Sequence, residues 1–355
     1  EGEILFPRIN IDLEKMYDNV VKFKKMCSKE DINLMAVTKS FCADKKIAET
    51  QVKAGVKYLA DSRIQNLKKL KDLKVPKVLI RIPMQSELKR VIKYADISFH
   101  SELSTLKKLN ELADEKQKVL LMLDLGDLRE GILPKDIKDF VSKVQSLENI
   151  KIIGFGVNLT CYGGIIPSPN NLGKLEEISL NMAERFNLDL ELISGGNSSS
   201  LFLIENNKMP KNINNLRLGE AIVLGRETAY GNLVDDTHQD IFTLEAEIVE
   251  LKTKGSLPIG EVGMDAFGNK PTFKDQGDIL RGIVAIGQQD VNPDGLTPFN
   301  PEISILGASS DHLILNLEES DKSYKVGDTI EFKVDYGALL KLTTSEYVDR
   351  NYVGS

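Results

Sequence analysis

Short apolar runs recur along the first part of the chain, each followed by a stretch whose hydrophobic residues return at helical spacing. They lie at residues 34–38, 56–60, 77–82, 95–99, 119–124, 152–157 and 190–193, with an eighth between 216 and 224. Uniformly apolar runs mark strands covered on both faces, and their alternation with amphipathic segments means βαβ units and a parallel sheet. Eight repeats over about 215 residues fit a closed (β/α)8 TIM barrel better than an open sheet. No GxGxxG follows the first strand, which disfavours a dinucleotide-binding fold. Ahead of the first run, residues 4–11 are extended in pattern and contain Pro7, and Asp12 is placed to cap an amphipathic stretch reaching about Cys27.

From Tyr230 the pattern changes. Helical periodicity fades, and β-like runs at 242–251, 282–286, 303–306, 313–317 and 329–334 alternate with Gly, Pro and Asp. This predicts a smaller C-terminal all-β domain over 230–355, joined by the N-terminal segment 1–11, after a barrel over 12–229. Residues 255–298 are dense in Gly, Pro and Asp and must hold long loops, which in a compact domain are usually functional.

Composition narrows the function. The 355 residues are 41% hydrophobic and 28% charged, enough to bury a sizeable core and stay soluble, and the formal net charge of -7 argues against a nucleic-acid surface. Lysine clusters such as 68–71 read as solvated helix faces. No apolar stretch has membrane-spanning length and the N-terminus lacks a signal-peptide pattern, so a cytoplasmic protein is expected. Cys27, Cys42 and Cys161 are odd in number and lack CxxC spacing, and His100, His238 and His312 form no HExxH. Neither a disulfide framework nor a metal site is expected.

The candidate chemistry sits at strand ends. Lys39 closes the first apolar run, and barrel active sites form at the carboxyl ends of the strands. The lysine has two readings there: its stem snorkels and the ammonium stays in water, or it is desolvated and its amine becomes a nucleophile able to form a Schiff base. After the seventh run comes Ser194-Gly195-Gly196-Asn197-Ser198-Ser199-Ser200. Either this is an ordinary Gly/Ser turn, or backbone N–H groups, hydroxyls and a helix N-terminus cradle a phosphate. Arg217 follows in Leu216-Arg217-Leu218-Gly219-Glu220. An amine and a phosphate site in one cavity suit pyridoxal phosphate, and an arginine is one partner for its ring nitrogen.

Over nearly its full length the chain resembles the alanine racemase-like family of barrel-type pyridoxal-phosphate enzymes, most of all its ornithine racemase branch. Val37-Thr38-Lys39 is similar to the family's lysine motif, which implies that Lys39 carries the cofactor. Gly196-Asn197-Ser198 resembles the phosphate loop. Leu216-Arg217-Leu218-Gly219 resembles the segment whose arginine meets the pyridine nitrogen and whose glycine, with neighbouring Glu220, helps hold the phosphate. Arg129, in 124–131, is implied at the substrate carboxylate; Asn158, in 154–158, stands where the family usually has histidine. Tyr336, in 335–340, is implied at the phosphate. Two departures matter: Ala43 replaces an aromatic hydroxyl four residues after the lysine, and Gln288 replaces the tyrosine that serves as the opposite-face base. His312 is the expected substitute base and Asp311 the partner of a distal ammonium, with Cys161 or Tyr162 as alternatives. The resemblance implies a homodimeric amino-acid racemase acting on ornithine. The alternatives are a racemase of lysine, arginine, alanine or serine, a decarboxylase, or a non-catalytic pyridoxal-phosphate-binding protein.

Overall fold

The computed structural model describes residues 5–354. Strand β1 (Arg8–Asp12) runs straight into the helix Leu13–Ser28, whose buried residues Met16, Asn19, Val20, Phe23 and Cys27 return at helical spacing. Eight strands follow: β2 (Asn33–Val37), β3 (Tyr58–Asp61), β4 (Lys77–Leu79), β5 (Ile97–His100), β6 (Gln117–Leu123), β7 (Ile150–Val157), β8 (Leu192–Ser194) and β9 (Asn215–Leu218). They close in that order into a parallel barrel, β9 pairing with β2 from Asn33↔Asn215 to Ala36↔Leu218.

Alternate strand residues split into two apolar layers. Met35 and Val37, Ile97 and Phe99, and Leu120 and Met122 pack together with Ile153 and Leu192 inside the barrel. The intervening residues, among them Leu121, Leu123, Phe155 and Val157, pack with Leu106, Leu109, Val141 and Leu175 of the surrounding helices. Both faces of each strand are dry, which is why the sequence shows continuous apolar runs. The longest helix, Pro169–Phe186, has a capping box between Ser168 and Asn171, proline at its first turn and left-handed Asn187 at its end. Residues 230–239, placed after the barrel by the sequence pattern, stay with the barrel unit Glu14–Gln239. Val234 N donates to Gly225 O (2.9 Å), while Asn19 Nδ2 donates to His238 O (2.8 Å) and Asn19 Oδ1 accepts from His238 N (2.7 Å).

The second unit joins the N-terminal strand, through Leu13, to the chain from Asp240 onward. Its strands are β10 (Phe242–Gly255), β11 (Asp278–Val284), β12 (Leu296–Pro298), β13 (Ser304–Ala308), β14 (Leu313–Asn316), β15 (Thr329–Val334) and β16 (Asp349–Val353), ordered β12-β15-β10-β11-β14-β13. β1 adds antiparallel to β10 and parallel to β16. Arg8 of β1 pairs with Glu245 at 2.7 Å. The unit also contains a helix, Tyr336–Thr344, which period-2 reasoning did not show; Asp335 caps it by accepting from Ala338 N at 2.8 Å. Residues 256–277 form no helix or strand and are closed at their base by Ser256, whose N–H donates to Gly277 O and whose hydroxyl accepts from Gln276 N. Among the described residues no helix is long and apolar enough to cross a membrane.

Candidate active site

β2 ends at Val37, and the turn that follows is fixed by Thr38. Its N–H donates to Ala60 O (2.8 Å) and its hydroxyl to Asp61 Oδ2 (2.6 Å). Asp61 is fully buried and also accepts from Arg63 N (2.9 Å) and Asn66 Nδ2 (3.1 Å). Burial pushes its carboxyl above the usual range, against the hydrogen bonds from Thr38, Arg63 and Asn66 and the nearby charge of Lys39. Lys39 itself opens a 3-10 turn, Lys39–Phe41, and is exposed. Of the two readings open in the sequence, the described chain shows the exposed one: the strand stops two residues earlier, and the turn carries the Lys39 side chain toward solvent. Ala43 is buried with φ +51°, so no side chain there reaches outward as an aromatic hydroxyl would.

At the end of β8 the Gly/Ser stretch folds into a compact cradle. A Cβ on Gly195 would meet Ile213 Cγ2 at 2.5 Å, and Gly196 has φ +111°, so both positions require glycine. Asn197 Oδ1 accepts from Ser199 N (2.8 Å) and Ser200 Oγ donates to Gly195 O (2.7 Å). Ser198 Oγ accepts from Ala221 N (3.1 Å), which ties the cradle to the turn after β9. Ser199 is fully buried and its hydroxyl has no partner. An orphaned buried hydroxyl is costly unless a ligand oxygen completes it. The apolar helical turn expected after the hydroxyls is present, and it is short. A 3-10 turn, Ser198–Ser200, precedes only the short helix Leu201–Glu205, and Glu220–Leu224 is equally short. Backbone and hydroxyl groups carry the cradle rather than a helix dipole. A Cβ on Gly219 would meet Val37 Cβ at 3.2 Å, and the Glu220 carboxylate is taken by Arg226 at 2.6 Å, which leaves only its backbone for a ligand.

Arg217, on β9, is 4% exposed. Its Nη1 donates to Ser194 Oγ (2.7 Å), its Nη2 to Val157 O (2.8 Å) and, at 3.4 Å, to Asn158 Oδ1. Its guanidinium carbon lies 5.5 Å from the centre of the Phe99 ring. Burial pushes the guanidinium down to about 10, while Cys161 and Glu130 favour its charge and Arg129 opposes it. These four side chains are therefore electrostatic neighbours. Asn158 Oδ1 also accepts from Asn197 Nδ2 (3.2 Å), and the buried Nδ2 of Asn158 has no partner. Asn197 Nδ2 further contacts Leu159 O (3.1 Å) and Cys161 Sγ (3.4 Å).

Arg129, in the loop after β6, is exposed and doubly paired with its neighbour Glu130, Nη2 to Oε1 at 2.6 Å. Its hydrogen bond to Glu130 raises its pKa further. That loop needs glycine at 131, where a Cβ would meet Asp124 N at 2.3 Å. The barrel thus brings Arg129, Asn158, Asn197, Ser198, Arg217 and Gly219 to the carboxyl ends of its strands along with Lys39. Ser194, Asp61 and Phe99 are parts of the site that sequence reasoning missed. Ser194 opens the Gly/Ser stretch in the sequence, and its inward position follows from strand alternation alone.

In the second unit, Tyr336 opens its helix half-buried. Asp311 and His312 are exposed in the turn between β13 and β14, where Ser309 N donates to His312 O (2.9 Å) and Ser310 Oγ to Asp311 Oδ2 (2.7 Å). Gln288 lies against the same turn, its N–H donating to Ser309 O (2.9 Å) and its side chain to Ala308 O (3.2 Å). A Cβ on Gly287 would meet Ser310 O at 2.3 Å. Among the described residues no group of His, Cys, Asp and Glu could hold a metal ion.

Residues 11–227 match the family described as "Alanine racemase, N-terminal domain". The chain is 52% identical over 350 residues to the ornithine racemase of Acetoanaerobium sticklandii, covering 98% of this chain and 99% of that one. It is 38% identical over 354 residues to the lysine racemase of Thermotoga maritima, with the same coverage of 98% and 99%. Among solved structures it superposes on an alanine racemase from Streptomyces lavendulae with a TM-score of 0.75 at 17% identity, covering 99% of this chain and 98% of that one. The Bacillus anthracis alanine racemase gives 0.75 at 15%, covering 100% and 97%. At such identities the likeness speaks for the fold.

Proposed function

Because the chain belongs to the alanine racemase family, we propose that it is a pyridoxal-phosphate-dependent racemase interconverting L- and D-ornithine. The observation that carries the reading is the convergence of Lys39, the 195–200 cradle and buried Arg217 at one end of the barrel; the near-full-length similarity to an ornithine racemase supplies the substrate. Lysine is the second reading, favoured by the more distant lysine racemase.

The residues present fit the cofactor. Lys39 would hold it covalently, Asn197, Ser198, Gly219 and the backbone of Glu220 would take its phosphate, and the orphaned Ser199 hydroxyl and Asn158 amide give two further buried contacts. When bound, pyridoxal phosphate draws off the electron pair that a departing α-proton leaves behind. Arg217 would face the ring nitrogen with the N–H donors that Ser194 and Val157 do not use. It keeps its own proton at neutral pH even when pushed down to about 10, so it donates a hydrogen bond and no proton. Lys39 takes or returns the α-proton on the face it occupies. Arg129 would meet the substrate carboxylate, with Glu130 holding the guanidinium in one orientation. Tyr336 is assigned to the phosphate and Asp311 to the distal ammonium.

A homodimer is part of the proposal. The 256–277 loop exposes Ile259, Met264 and Phe273, apolar surface that a partner subunit would cover. So is a cytoplasmic location, supported by three free cysteines. Borohydride reduction followed by peptide mapping should place the pyridoxyl group on Lys39. Incubation with a panel of L-amino acids in deuterated water should give α-deuterium and lost optical rotation with ornithine. Label on another lysine, or exchange confined to other substrates, refutes the assignment.

A further inference from the structure

Racemization moves a proton on both faces of one carbon, and where the family resemblance implies a tyrosine for the opposite face the chain has Gln288, whose amide cannot exchange a proton usefully near neutral pH. We infer that Cys161, rather than His312, is the proton-transfer residue for the substrate face that Lys39 does not serve. The inference rests on the racemase reading above and deepens it.

The barrel itself sets the geometry. Lys39 follows β2 and Cys161 follows β7, and the order β7-β8-β9-β2 puts them three strands apart by the shorter way round, on different sides of the mouth. Of the three cysteines, Cys161 alone is exposed; Cys27 is buried and pushed up to about 12, and Cys42 is half-buried. The Cys161 sulfur is held by Asn197 Nδ2 at 3.4 Å, from the cradle that would carry the phosphate. It lies within electrostatic reach of Arg217 and Arg129, the proposed partners of the ring nitrogen and the substrate carboxylate, and favours the charge of both. A second, independent sign of a ligand lies in the same cluster: the buried Nδ2 of Asn158, two bonds from an oxygen already shared by Asn197 and Arg217, has no partner.

The loop is built to hold this sulfur still. Asp127, buried, accepts from the N–H groups of Tyr162 (3.2 Å) and Gly163 (3.1 Å). Thr160 sits at φ +75° with its hydroxyl on Ile165 O (3.1 Å). In one direction the Lys39 amine takes the proton from Cα, the electron pair of that bond stays with the substrate and cofactor, and the Cys161 S–H gives a proton to the other face. The ammonium and thiolate so formed return to their starting states through water. In the reverse direction the thiolate takes the proton and Lys39 gives one, so no oxidant or further reactant enters.

The test is α-deuterium incorporation from each enantiomer of ornithine in deuterated water, for the wild type and for Cys161→Ser and His312→Gln. The serine keeps a hydrogen-bonding atom beside Asn197, but a hydroxyl gives up its proton far less readily than a thiol. Cys161→Ser should lose racemization by at least about 100-fold while still exchanging one enantiomer, and His312→Gln should interconvert both within a few-fold of wild type. Racemization by Cys161→Ser within a few-fold of wild type, loss of exchange with both enantiomers, or the one-enantiomer pattern in His312→Gln overturns the inference and leaves the racemase reading standing. A wild type that exchanges neither enantiomer overturns the racemase reading instead. The cofactor-free chain gives a separate readout: iodoacetamide should alkylate Cys161 at least about tenfold faster than Cys42, and Arg129→Met should slow Cys161 several-fold. Equal rates at the two cysteines, unchanged by Arg129→Met, also overturn it.

Discussion

His100 makes the barrel's stability depend on pH in a direction that can be worked out. It ends β5 fully buried, with Nε2 2.8 Å from Ser98 Oγ and no partner at Nδ1. Protonation would put a charge in a dry layer and a second N–H where nothing accepts it, and burial pushes the pKa from 6.5 down to about 3. Above pH 6.5 the imidazole is neutral in both states and has no effect. As pH falls, the unfolded chain binds a proton that the folded chain refuses until about pH 3, so the unfolded state gains and stability drops. The slope approaches about 1.4 kcal/mol per pH unit, and the loss between pH 7 and pH 5 is roughly 2 kcal/mol. His100→Gln removes the titration while keeping a polar side chain of similar length beside Ser98. Urea unfolding of wild type and variant at pH 7 and pH 5, followed by circular dichroism, gives the difference in pH dependence directly. The variant should lose roughly 2 kcal/mol less than wild type over that interval. Equal losses in the two proteins would refute the reasoning, as would an NMR titration showing the His100 ring protonated between pH 7 and pH 5.

Two further outcomes follow from the site and the assembly. Arg217→Glu replaces a group that keeps its proton with one that can share it with a ring nitrogen, so racemization should slow and the fraction of turnovers ending in transamination should rise; wild-type partitioning, read from keto-acid formed per racemization event, counts against the role of Arg217. For the dimer, a Lys39→Ala chain and a chain altered in the 256–277 loop should each be inactive and regain partial activity when mixed and refolded. An active monomer in sedimentation would remove the basis for that expectation.

What the sequence determined by itself was the architecture and the strand ends at which the candidate site residues stand. Barrel strands are dry on both faces, so residues such as 119–123 and 152–157 must be apolar without interruption, and that pattern is local. The demand for glycine at 196 is local too, since it comes from the positive φ of that residue, whereas at 195 it comes from the close approach of Ile213 and belongs to the tertiary structure. The tertiary structure decided which side chains meet. Arg217 finds Ser194 and Val157 only because β9 closes beside β8 and the barrel's interior brings β7 within reach. Asp61 reads as an ordinary turn residue until β3 pairs with β2 and sets it under Thr38, and the 3-10 turn that follows is what leaves Lys39 exposed rather than desolvated. Cys161 was one alternative among several in the sequence. Its contact with Asn197 and its electrostatic influence on Arg217 and Arg129 depend on strand order and loop packing across the barrel mouth, and no periodicity along the chain encodes proximity of that kind.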